Sequence, residues 1–200
     1  MNEYVVIGGL VLLSYLFGSI PFGIIISRLY KVDITKVGSG NVGATNVLRA
    51  LGPFPAALVF VGDFAKGVIP VYLATFLNLE PLFIISAGLA AIVGHSFSIF
   101  LKFRGGRGVA TGLGVLLGVA PDVFLLVIIL AAIIIGFTRY VSLASVTGSV
   151  VAAASMYFFD KPMPYVIVTA MIALLIVIRH IPNIKRLVRG EERKIGEKIQ

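Results

Sequence analysis

The chain has 200 residues, of which 58% are hydrophobic and 13% charged, with a formal net charge of +8 and a mean hydropathy of +1.04. A soluble domain is about half apolar and about a quarter charged, so these values exclude an ordinary soluble protein and predict one membrane domain over residues 1–200. The sequence contains no Cys, which excludes disulfides, thiolate zinc sites and cysteine nucleophiles.

Seven apolar segments are candidates for membrane spans, because a helix needs roughly 20 apolar residues to cross the bilayer. In chain order they cover residues 4–27, 55–78, 81–101, 109–120, 122–138, 142–159 and 164–178. The first lacks an Ala-x-Ala-like cleavage site, which favours a retained span over a signal peptide. The fourth is short and rich in glycine, so we expect the loop before it to lie below the headgroups. Alternatively, the fourth and fifth segments form one broken hairpin.

The orientation follows from the positive-inside rule. An N-terminus outside and a C-terminus in the cytoplasm put fifteen of the seventeen Lys and Arg residues on the cytoplasmic side. Anionic lipid headgroups explain this charge better than nucleic acid does. The tail, residues 182–200, alternates basic and apolar residues and predicts a short amphipathic helix on the membrane surface. The predicted fold class is therefore an all-α integral membrane protein with seven transmembrane helices and short interfacial helices.

Two features within the spans have structural consequences. Pro21, between Gly18 and Gly23, should kink the first span. Asp63 and Lys66 stand at positions i and i+3 of one helix and can form an ion pair. Charged groups at this depth should face protein or a cavity, and we favour structural pairing over direct contact with a ligand.

The first cytoplasmic loop, residues 38–49, is rich in glycine and contains the pattern G-x-G-x-x-G. A dinucleotide fingerprint needs a preceding strand, whereas a transmembrane helix precedes this loop and Asp63 falls inside the next span. Asn41 or Thr45 could cap a short helix that runs through Arg49, and a helix N-terminus beside an arginine suits a phosphate. The alternative is a flexible turn with Arg49 as a membrane anchor.

The second cytoplasmic segment, residues 94–111, places Gly105, Gly106 and Gly108 around Arg107. It is not a Walker A loop, but it again combines a possible backbone cradle with a guanidinium. His95 lies above the cytoplasmic end of its span. It is either a hydrogen-bonded packing residue or a functional group.

The third cluster ends the last span with His180, Asn183, Lys185 and Arg186. The His180 imidazole lies at the membrane boundary, where it can titrate near neutral pH, and Pro182 could turn Asn183 back toward the bundle. Arg179, Lys185 and Arg186, each taken alone, are better explained as interfacial anchors.

Together the three segments offer enough anion donors for two phosphates, or for a phosphate and an oxyanion. The sequence contains no carboxylates at metal-ligand spacing, and Asp does not follow either His in an H-x-x-x-x-D signature. We expect no metal, no cofactor and no nucleic-acid partner. A polar pocket beside a lipid-facing groove suits the joining of a fatty chain to a phosphorylated acceptor.

The motifs resemble those of the bacterial membrane acyl-phosphate:glycerol-3-phosphate acyltransferase (PlsY) family over nearly the whole chain. They are Gly-Ser-Ile-Pro-Phe-Gly (18–23), Gly-Ser-Gly-Asn-Val-Gly-Ala-Thr-Asn-Val-Leu-Arg (38–49), Asp-x-x-Lys-Gly (63–67), Gly-His-x-Phe (94–97), Gly-Gly-Arg-Gly-Val-Ala-Thr (105–111), Arg-Tyr-Val-Ser-Leu (139–143) and His-x-x-Asn-Ile-x-Arg-Leu (180–187). In the tail, Gly190-x-Glu192 fits the family pattern better than Glu191 does. Arg107 stands where the family more often has Lys.

The resemblance implies acyl transfer from acyl-phosphate to the sn-1 hydroxyl of glycerol-3-phosphate, with lysophosphatidic acid and phosphate as products, in phospholipid biosynthesis at the cytoplasmic (inner) membrane of a bacterium. We expect a monomer, coupled in function to an enzyme that forms acyl-phosphate. The alternative class is a small transporter or binder of a phosphorylated solute or lipid.

The resemblance also implies site residues. The predicted catalytic residues are Ser39, Arg49, Arg107, His180 and Asn183. The predicted substrate-binding residues are Gly38, Gly40, Asn41, Gly43, Thr45, Asn46, His95, Gly105, Gly106, Gly108, Thr111, Arg139 and Ser142. The secondary candidates are Asp63, Lys66, Arg186 and Glu192.

We expect Ser39, Gly40 and Asn41 to cradle one phosphate and the 105–108 loop to position glycerol-3-phosphate. His180 and Asn183 would orient the acceptor or stabilise the oxyanion. The hydroxyl proton would pass to a substrate phosphate oxygen, or alternatively to His180 or His95 as general base.

Overall fold

The computed structural model describes residues 3–197 and is helical, without strands, over that range. The helices are α1 (Glu3–Ser19), α2 (Phe22–Leu29), α3 (Ala44–Leu51), α4 (Pro53–Phe76), α5 (Pro81–Ser96), α6 (Val109–Val119), α7 (Pro121–Thr138), α8 (Val141–Phe158), α9 (Met163–Arg179) and α10 (Ile181–Val188). Two short 3-10 turns lie at Ile34–Lys36 and Ile99–Leu101. The predicted all-α class is confirmed.

Each of the seven predicted apolar segments corresponds to a helix or a pair of helices. Within the described chain, five segments are long and apolar enough to cross a membrane: Tyr4–Leu29, Pro53–Phe76, Pro81–Leu101, Pro121–Thr138 and Val141–Phe158. Helices α9 and α10, bent by 57° at their junction, can make a sixth. Helix α6 has 11 residues and covers only about 16 Å. The count of seven spans and the orientation of the termini therefore stay predictions.

Proline positions define where several helices begin and where the first segment breaks. Pro53, Pro81 and Pro121 each open a helix, where the missing N–H costs no intrahelical bond. The kink expected at Pro21 is a complete break, because α1 ends at Ser19 and α2 begins at Phe22. The break lets α2 pack against the loop that follows it.

Small residues bring the helices into close contact. Helices α4 and α6 meet at Gly67 and Gly114, where an added Cβ would overlap the backbone carbonyls of Thr111 and Phe64 respectively. Close approach through small residues is typical of membrane helices, which gain little from the hydrophobic effect in lipid. This contact holds the short α6, and the loop before it, deep in the bundle.

The predicted pairing of Asp63 with Lys66 is confirmed. Lys66 Nζ lies 2.7 Å from Asp63 Oδ1, and both residues are almost completely buried. His95 Nδ1 lies 3.5 Å from the same carboxylate oxygen, and the ammonium group sits 5.1 Å from the centre of the Phe22 ring. The pair thus links α4 with α5 and with the start of α2.

The short helix predicted in the C-terminal tail is present as α10, but it covers only the first part of the tail. Only α10 is helical, and residues 189–197 turn back toward the bundle after Gly190, which has φ +70°. Arg139 and Ile195 exchange two hydrogen bonds: the Ile195 N–H donates to the Arg139 carbonyl, and Arg139 Nη2 donates to the Ile195 carbonyl, both at 2.8 Å. The part of the prediction on residues 198–200 lies outside the described residues.

Candidate active site

The three predicted cytoplasmic segments meet at one end of the bundle around a cavity of about 380 Å³. The predicted site residues that line it are Ser39, Asn41, Gly43, Thr45, Asn46, Arg49, Asp63, His95, Arg107, Gly108, Ser142, His180, Asn183 and Glu192. Away from these groups the cavity continues between α6, α7, α8 and α9, where its lining is mostly apolar. One end is therefore polar and basic, and the rest can accept a hydrocarbon chain.

Asn46 organises the first loop rather than leaving its amide free for a ligand. Its Nδ2 donates to the carbonyl oxygens of Ile34, Val37 and Asn41, at 3.2, 2.9 and 2.9 Å, and its Oδ1 accepts the Ser39 N–H at 3.0 Å. The side chain is almost fully buried. Asn46 therefore holds the loop in shape, which differs from the substrate-binding role predicted for it.

The structure does not support the backbone part of the cradle predicted at Ser39–Asn41, because those N–H groups bond within the loop, and the side-chain part stays a prediction. Ser39 N–H donates to Asn46, Gly40 N–H to the Val37 carbonyl at 3.0 Å, and Asn41 N–H to the Ser39 hydroxyl at 3.4 Å. What this loop offers a ligand is side chains and the helix that follows it.

That helix, α3, is the predicted short helix, but neither Asn41 nor Thr45 caps it. Its N-cap is Gly43, whose own N–H donates to Asn41 Oδ1 at 2.9 Å. The first N–H groups of a helix have no intrahelical partner, and Ala44 and Thr45 at this position line the cavity. The N-terminus of α3 is therefore the part of this segment whose backbone could receive an anion.

Arg49, in the last turn of α3, connects the cavity to the tail. Its Nη2 donates to the Arg193 carbonyl at 2.9 Å, whereas its buried Nε has no hydrogen-bond partner among residues 3–197. Burial lowers the pKa of Arg49, but a guanidinium remains charged at neutral pH. The Nε–H group of the Arg49 guanidinium is thus left for an anionic ligand.

The second loop also differs from the predicted cradle. The N–H groups of Gly105 and Gly106 donate to the carbonyls of Ser96 and His95, at 3.1 and 3.0 Å, so they are not available to a phosphate. Both glycines are required by this packing, because an added Cβ at Gly105 would overlap the His95 carbonyl and one at Gly106 the His95 ring. The loop is fixed against the end of α5.

Arg107 and the N-terminus of α6 carry the positive charge of this segment into the cavity. Gly108, with φ +84°, is the N-cap of α6, and Val109 and Ala110 of its first turn line the cavity. Burial and, to a smaller extent, the nearby Arg186 lower the pKa of Arg107 to about 10, while Glu192 opposes the change. Arg107 is therefore charged at neutral pH and poorly solvated, which favours an anionic ligand.

His180 lies at the junction of α9 and α10 with a defined tautomer. Its Nδ1 is 2.8 Å from the Ile176 carbonyl, which can only accept, so Nδ1 carries the proton and Nε2 is left as an acceptor. Burial lowers the pKa of His180 to about 4, despite the hydrogen bond to Ile176. A neutral His180 with a bare Nε2 can accept from a hydroxyl but cannot donate to an oxyanion through that atom.

Asn183 and Glu192 meet beside His180. Asn183 Nδ2 donates to Glu192 Oε1 at 2.6 Å, and Arg186 Nε donates to Glu192 Oε2 at 2.7 Å. Burial disfavours the charged form of Glu192, but these bonds, together with the nearby Ser142 hydroxyl, outweigh burial and lower its pKa. The Ser142 Oγ itself, like Asn183 Oδ1, has no partner at hydrogen-bond geometry within residues 3–197.

The remaining predicted site residues do not line the cavity. They are Gly38, Gly40, Lys66, Gly105, Gly106, Thr111, Arg139 and Arg186. Thr111 donates its hydroxyl to the Asp63 carbonyl at 2.9 Å, and Arg139 and Arg186 hold the tail. The structure gives these residues supporting positions around the site.

The sequence alone does not distinguish Arg179 from a membrane anchor, whereas the structure places it against the second loop. Its Nη2 donates to the carbonyls of Gly105 and Gly106, both at 2.8 Å, and its guanidinium lies 5.5 Å from the centre of the Phe97 ring. Sequence analysis also misses the small residues Gly148 and Ala152, which line the apolar part of the cavity. The available signal was a run of small residues on α8.

Comparison with known proteins gives consistent results over almost the whole chain. Residues 8–190 match the sequence profile of the glycerol-3-phosphate acyltransferase family. The chain is 46% identical over 187 residues to a glycerol-3-phosphate acyltransferase of Rubrobacter xylanophilus, covering 94% of each chain. It is 47% identical over 189 residues to one of Thermus thermophilus, covering 94% of this chain and 95% of the relative.

Solved structures agree with the sequence relatives. The fold matches the crystal structure of PlsY (YgiH), an integral membrane glycerol 3-phosphate acyltransferase, in its glycerol 3-phosphate form. The TM-score is 0.92 at 42% identity, covering 95% of this chain and 96% of that one. The lysophosphatidic acid form of that protein matches with a TM-score of 0.89 at the same identity, covering 95% of both chains.

Proposed function

The chain belongs to the glycerol-3-phosphate acyltransferase family, and from that premise we propose that it transfers a fatty acyl group from acyl-phosphate to the sn-1 hydroxyl of glycerol-3-phosphate. The products are lysophosphatidic acid and phosphate. The observation that carries this proposal is a cavity that is continuous from a basic end, which holds Arg49 and Arg107, to an apolar part. Such a cavity fits two phosphates and one hydrocarbon chain.

Each phosphate has a separate set of donors. We assign glycerol-3-phosphate to Arg107 and the N-terminus of α6, and the acyl-phosphate headgroup to Arg49, Ser39 and the N-terminus of α3. Both helix ends have N–H groups without intrahelical partners and line the cavity. Two guanidiniums with reduced solvation favour anions of this charge.

The acyl chain occupies the apolar part of the cavity. Its lining includes Leu116 of α6, Val127 of α7, Gly148 and Ala152 of α8 and Ile172 of α9. Burial of a methylene group is worth about 0.8 kcal/mol, so this region supplies much of the donor affinity. Because the acyl chain anchors acyl-phosphate in the bilayer, the donor can reach the site without a carrier protein.

The reaction needs little acid–base help from the protein. The sn-1 hydroxyl oxygen attacks the carbonyl carbon of acyl-phosphate, the bond from that carbon to the phosphate oxygen breaks, and phosphate leaves with the electron pair. The hydroxyl proton passes to a phosphate oxygen, so that the ester and hydrogen phosphate balance the equation. His180 Nε2 and Asn183 orient the hydroxyl, and Arg49 stabilises the leaving phosphate.

The alternative with His180 as general base is less well supported. A base is most effective when its pKa lies near the working pH, whereas the pKa of His180 is lowered to about 4. His95 has a carboxylate partner, Asp63, at its Nδ1, as general bases often do, but its Nε2 lies against Gly106 and so is poorly placed to meet a substrate hydroxyl. A neutral His180 that accepts a hydrogen bond suits orientation of the acceptor.

The family assignment favours an enzyme over a transporter or binder of a phosphorylated solute. We further propose that the chain acts as one domain and as a monomer in the bacterial inner membrane, with the cavity facing the cytoplasm. The excess of basic residues at the cavity end supports this orientation. An enzyme that forms acyl-phosphate must supply the donor.

The test is acyl transfer by purified protein in lipid, with acyl-phosphate and acyl-CoA as parallel donors. We expect lysophosphatidic acid and stoichiometric phosphate from acyl-phosphate alone. Arg107→Gln should raise KM for glycerol-3-phosphate, while Arg104→Gln, an exposed residue of the same loop, serves as the matched control. Equal turnover of acyl-CoA would contradict the proposed donor but leave the acyltransferase assignment intact.

A further inference from the structure

Arg179 joins two segments of the active site without lining the cavity itself. Its Nη2 donates to the carbonyls of Gly105 and Gly106 at 2.8 Å, and its Nε donates to the Gly106 carbonyl at 3.2 Å. The residue after it is His180, and the residue after the two glycines is Arg107. One guanidinium therefore sets the distance between the end of α9 and the start of α6.

The two glycines whose carbonyls bind Arg179 are held from both sides. Their N–H groups donate to the carbonyls of Ser96 and His95 at the end of α5, and their carbonyls accept from Arg179 on α9. Glycine has the largest freedom to lose on ordering, so a loop with glycines at 105, 106 and 108 needs such external bonds to keep one conformation.

The contacts of Arg179 offset the repulsion that it experiences from a second arginine. Arg179 stands close enough to Arg107 to lower its pKa through like-charge repulsion, and two guanidiniums near each other are unfavourable without compensation. The Gly105 and Gly106 carbonyls and the face of the Phe97 ring, 5.5 Å away, provide that compensation. An interfacial anchor would instead extend toward water or headgroups.

We propose that Arg179 is a positioning residue that fixes Arg107 for recognition of the glycerol-3-phosphate phosphate, without touching the substrate. The proposal rests on the role of Arg107 as a phosphate ligand in the proposed function. The guanidinium holds the Gly106 carbonyl with two nitrogens, Nε and Nη2, while Nη2 also reaches Gly105. Lys has one nitrogen and cannot replace this arrangement fully.

Direct binding of glycerol-3-phosphate, measured by calorimetry on purified protein in lipid nanodiscs, tests this without any acyl donor. We expect Arg179→Gln to raise Kd about 10-fold, the equivalent of one charge-assisted hydrogen bond. Arg179→Lys should fall between wild type and Gln and also covers the case in which Gln fails to fold. Arg104→Gln, exposed in the same loop, is the matched control and should bind as wild type does.

A double-mutant cycle separates positioning from a general structural role. With Arg107→Gln as background, the group to be positioned is absent, so Arg179→Gln should weaken binding by less than about 2-fold more. An unchanged Kd in Arg179→Gln, or the same loss in both backgrounds, would overturn the proposal. An Arg107→Gln protein with wild-type affinity would instead overturn the assigned phosphate role of Arg107, and this inference with it.

Discussion

Asn183 Nδ2 donates a 2.6 Å hydrogen bond to Oε1 of Glu192. The Glu192 carboxylate, whose pKa is lowered by this bond and by Arg186, is ionised at neutral pH and can only accept. The Asn183 amide is therefore fixed with its nitrogen toward the tail, and Oδ1 is left without a partner among residues 3–197. That oxygen is available to accept a hydrogen bond from a substrate hydroxyl.

Asn183→Asp should impair recognition of the acceptor, because it sets a second carboxylate against the buried Glu192. The lost hydrogen bond and the added repulsion correspond to about 1.5–3 kcal/mol, which predicts a 10-fold to 100-fold loss of kcat/KM for glycerol-3-phosphate. The control is Asn78→Asp, at an exposed residue between α4 and α5. Equal kinetics in the two variants would contradict a role of the Asn183–Glu192 bond.

His180 should make the protein less stable in mild acid. Its folded pKa of about 4 lies below the ordinary value of 6.5, so the unfolded chain binds more protons between these values and stability is lost as the pH falls from 6.5 toward 4. The full effect is about 3 kcal/mol. Thermal unfolding followed against pH should show a smaller decrease for His180→Gln than for wild type.

The same pKa predicts how the rate depends on pH. Between pH 5 and 8 the His180 imidazole stays neutral, so any inflection of kcat in that range comes from other groups, the substrate phosphates among them. His180→Gln should therefore lower kcat but keep the shape of the wild-type profile. An inflection near pH 6.5 that disappears in His180→Gln would establish His180 as the general base.

The positions of the helices, and the place of the disruption at Pro21 though not its extent, could be predicted because they depend on local properties, apolar length and proline chemistry. The Asp63–Lys66 pair could be predicted for the same reason, since its spacing along one helix is fixed. Arg49 and Arg139 both contact the tail, as expected of segments predicted to lie on one side of the membrane. That this side is cytoplasmic stays a prediction. Alternating topology brings these segments to one face.

What could not be predicted is how the loop N–H groups are used. The pattern of glycines at 105 and 106 is the same whether those groups face a ligand or, as here, the end of α5. Arg179 likewise resembles an ordinary interfacial arginine until its carbonyl partners, more than 70 positions earlier in the chain, are known. Such contacts depend on tertiary packing, which cannot be predicted from the local sequence pattern.

Gly148 should determine how long an acyl chain the cavity accepts. A Cβ added there would lie 3.3 Å from Val127 Cγ1, so Gly148→Val narrows the apolar part of the cavity between α7 and α8. A narrower cavity buries fewer methylene groups of a long donor, and each buried methylene is worth about 0.8 kcal/mol. This predicts a loss of at least about 4-fold in kcat/KM for long-chain donors and a smaller loss for short ones.

The control for this variant is Gly136→Val on α7, where an added Cβ meets nothing within 4 Å. Turnover of acyl-phosphates of increasing chain length, measured for both variants, gives the comparison. A Gly148→Val protein with the wild-type order of donor preference would contradict the placement of the acyl chain along α8.

Breaking the buried Asp63–Lys66 pair by removing one charge should destabilise the protein more than replacing both charges does. Asp63→Asn leaves the Lys66 ammonium, 1% exposed, without its charged partner, and breaking a buried pair in this way costs about 3–5 kcal/mol. The double variant Asp63→Asn with Lys66→Met removes the unpaired charge and should recover most of the lost stability.

The measurement is thermal unfolding in one fixed detergent. Lys161→Met is the matched ion-pair control, because its partner Asp122 is more exposed, and it should change stability little. A double variant as unstable as Asp63→Asn alone would indicate that the carboxylate stabilises the bundle through His95, which lies 3.5 Å away, rather than through Lys66.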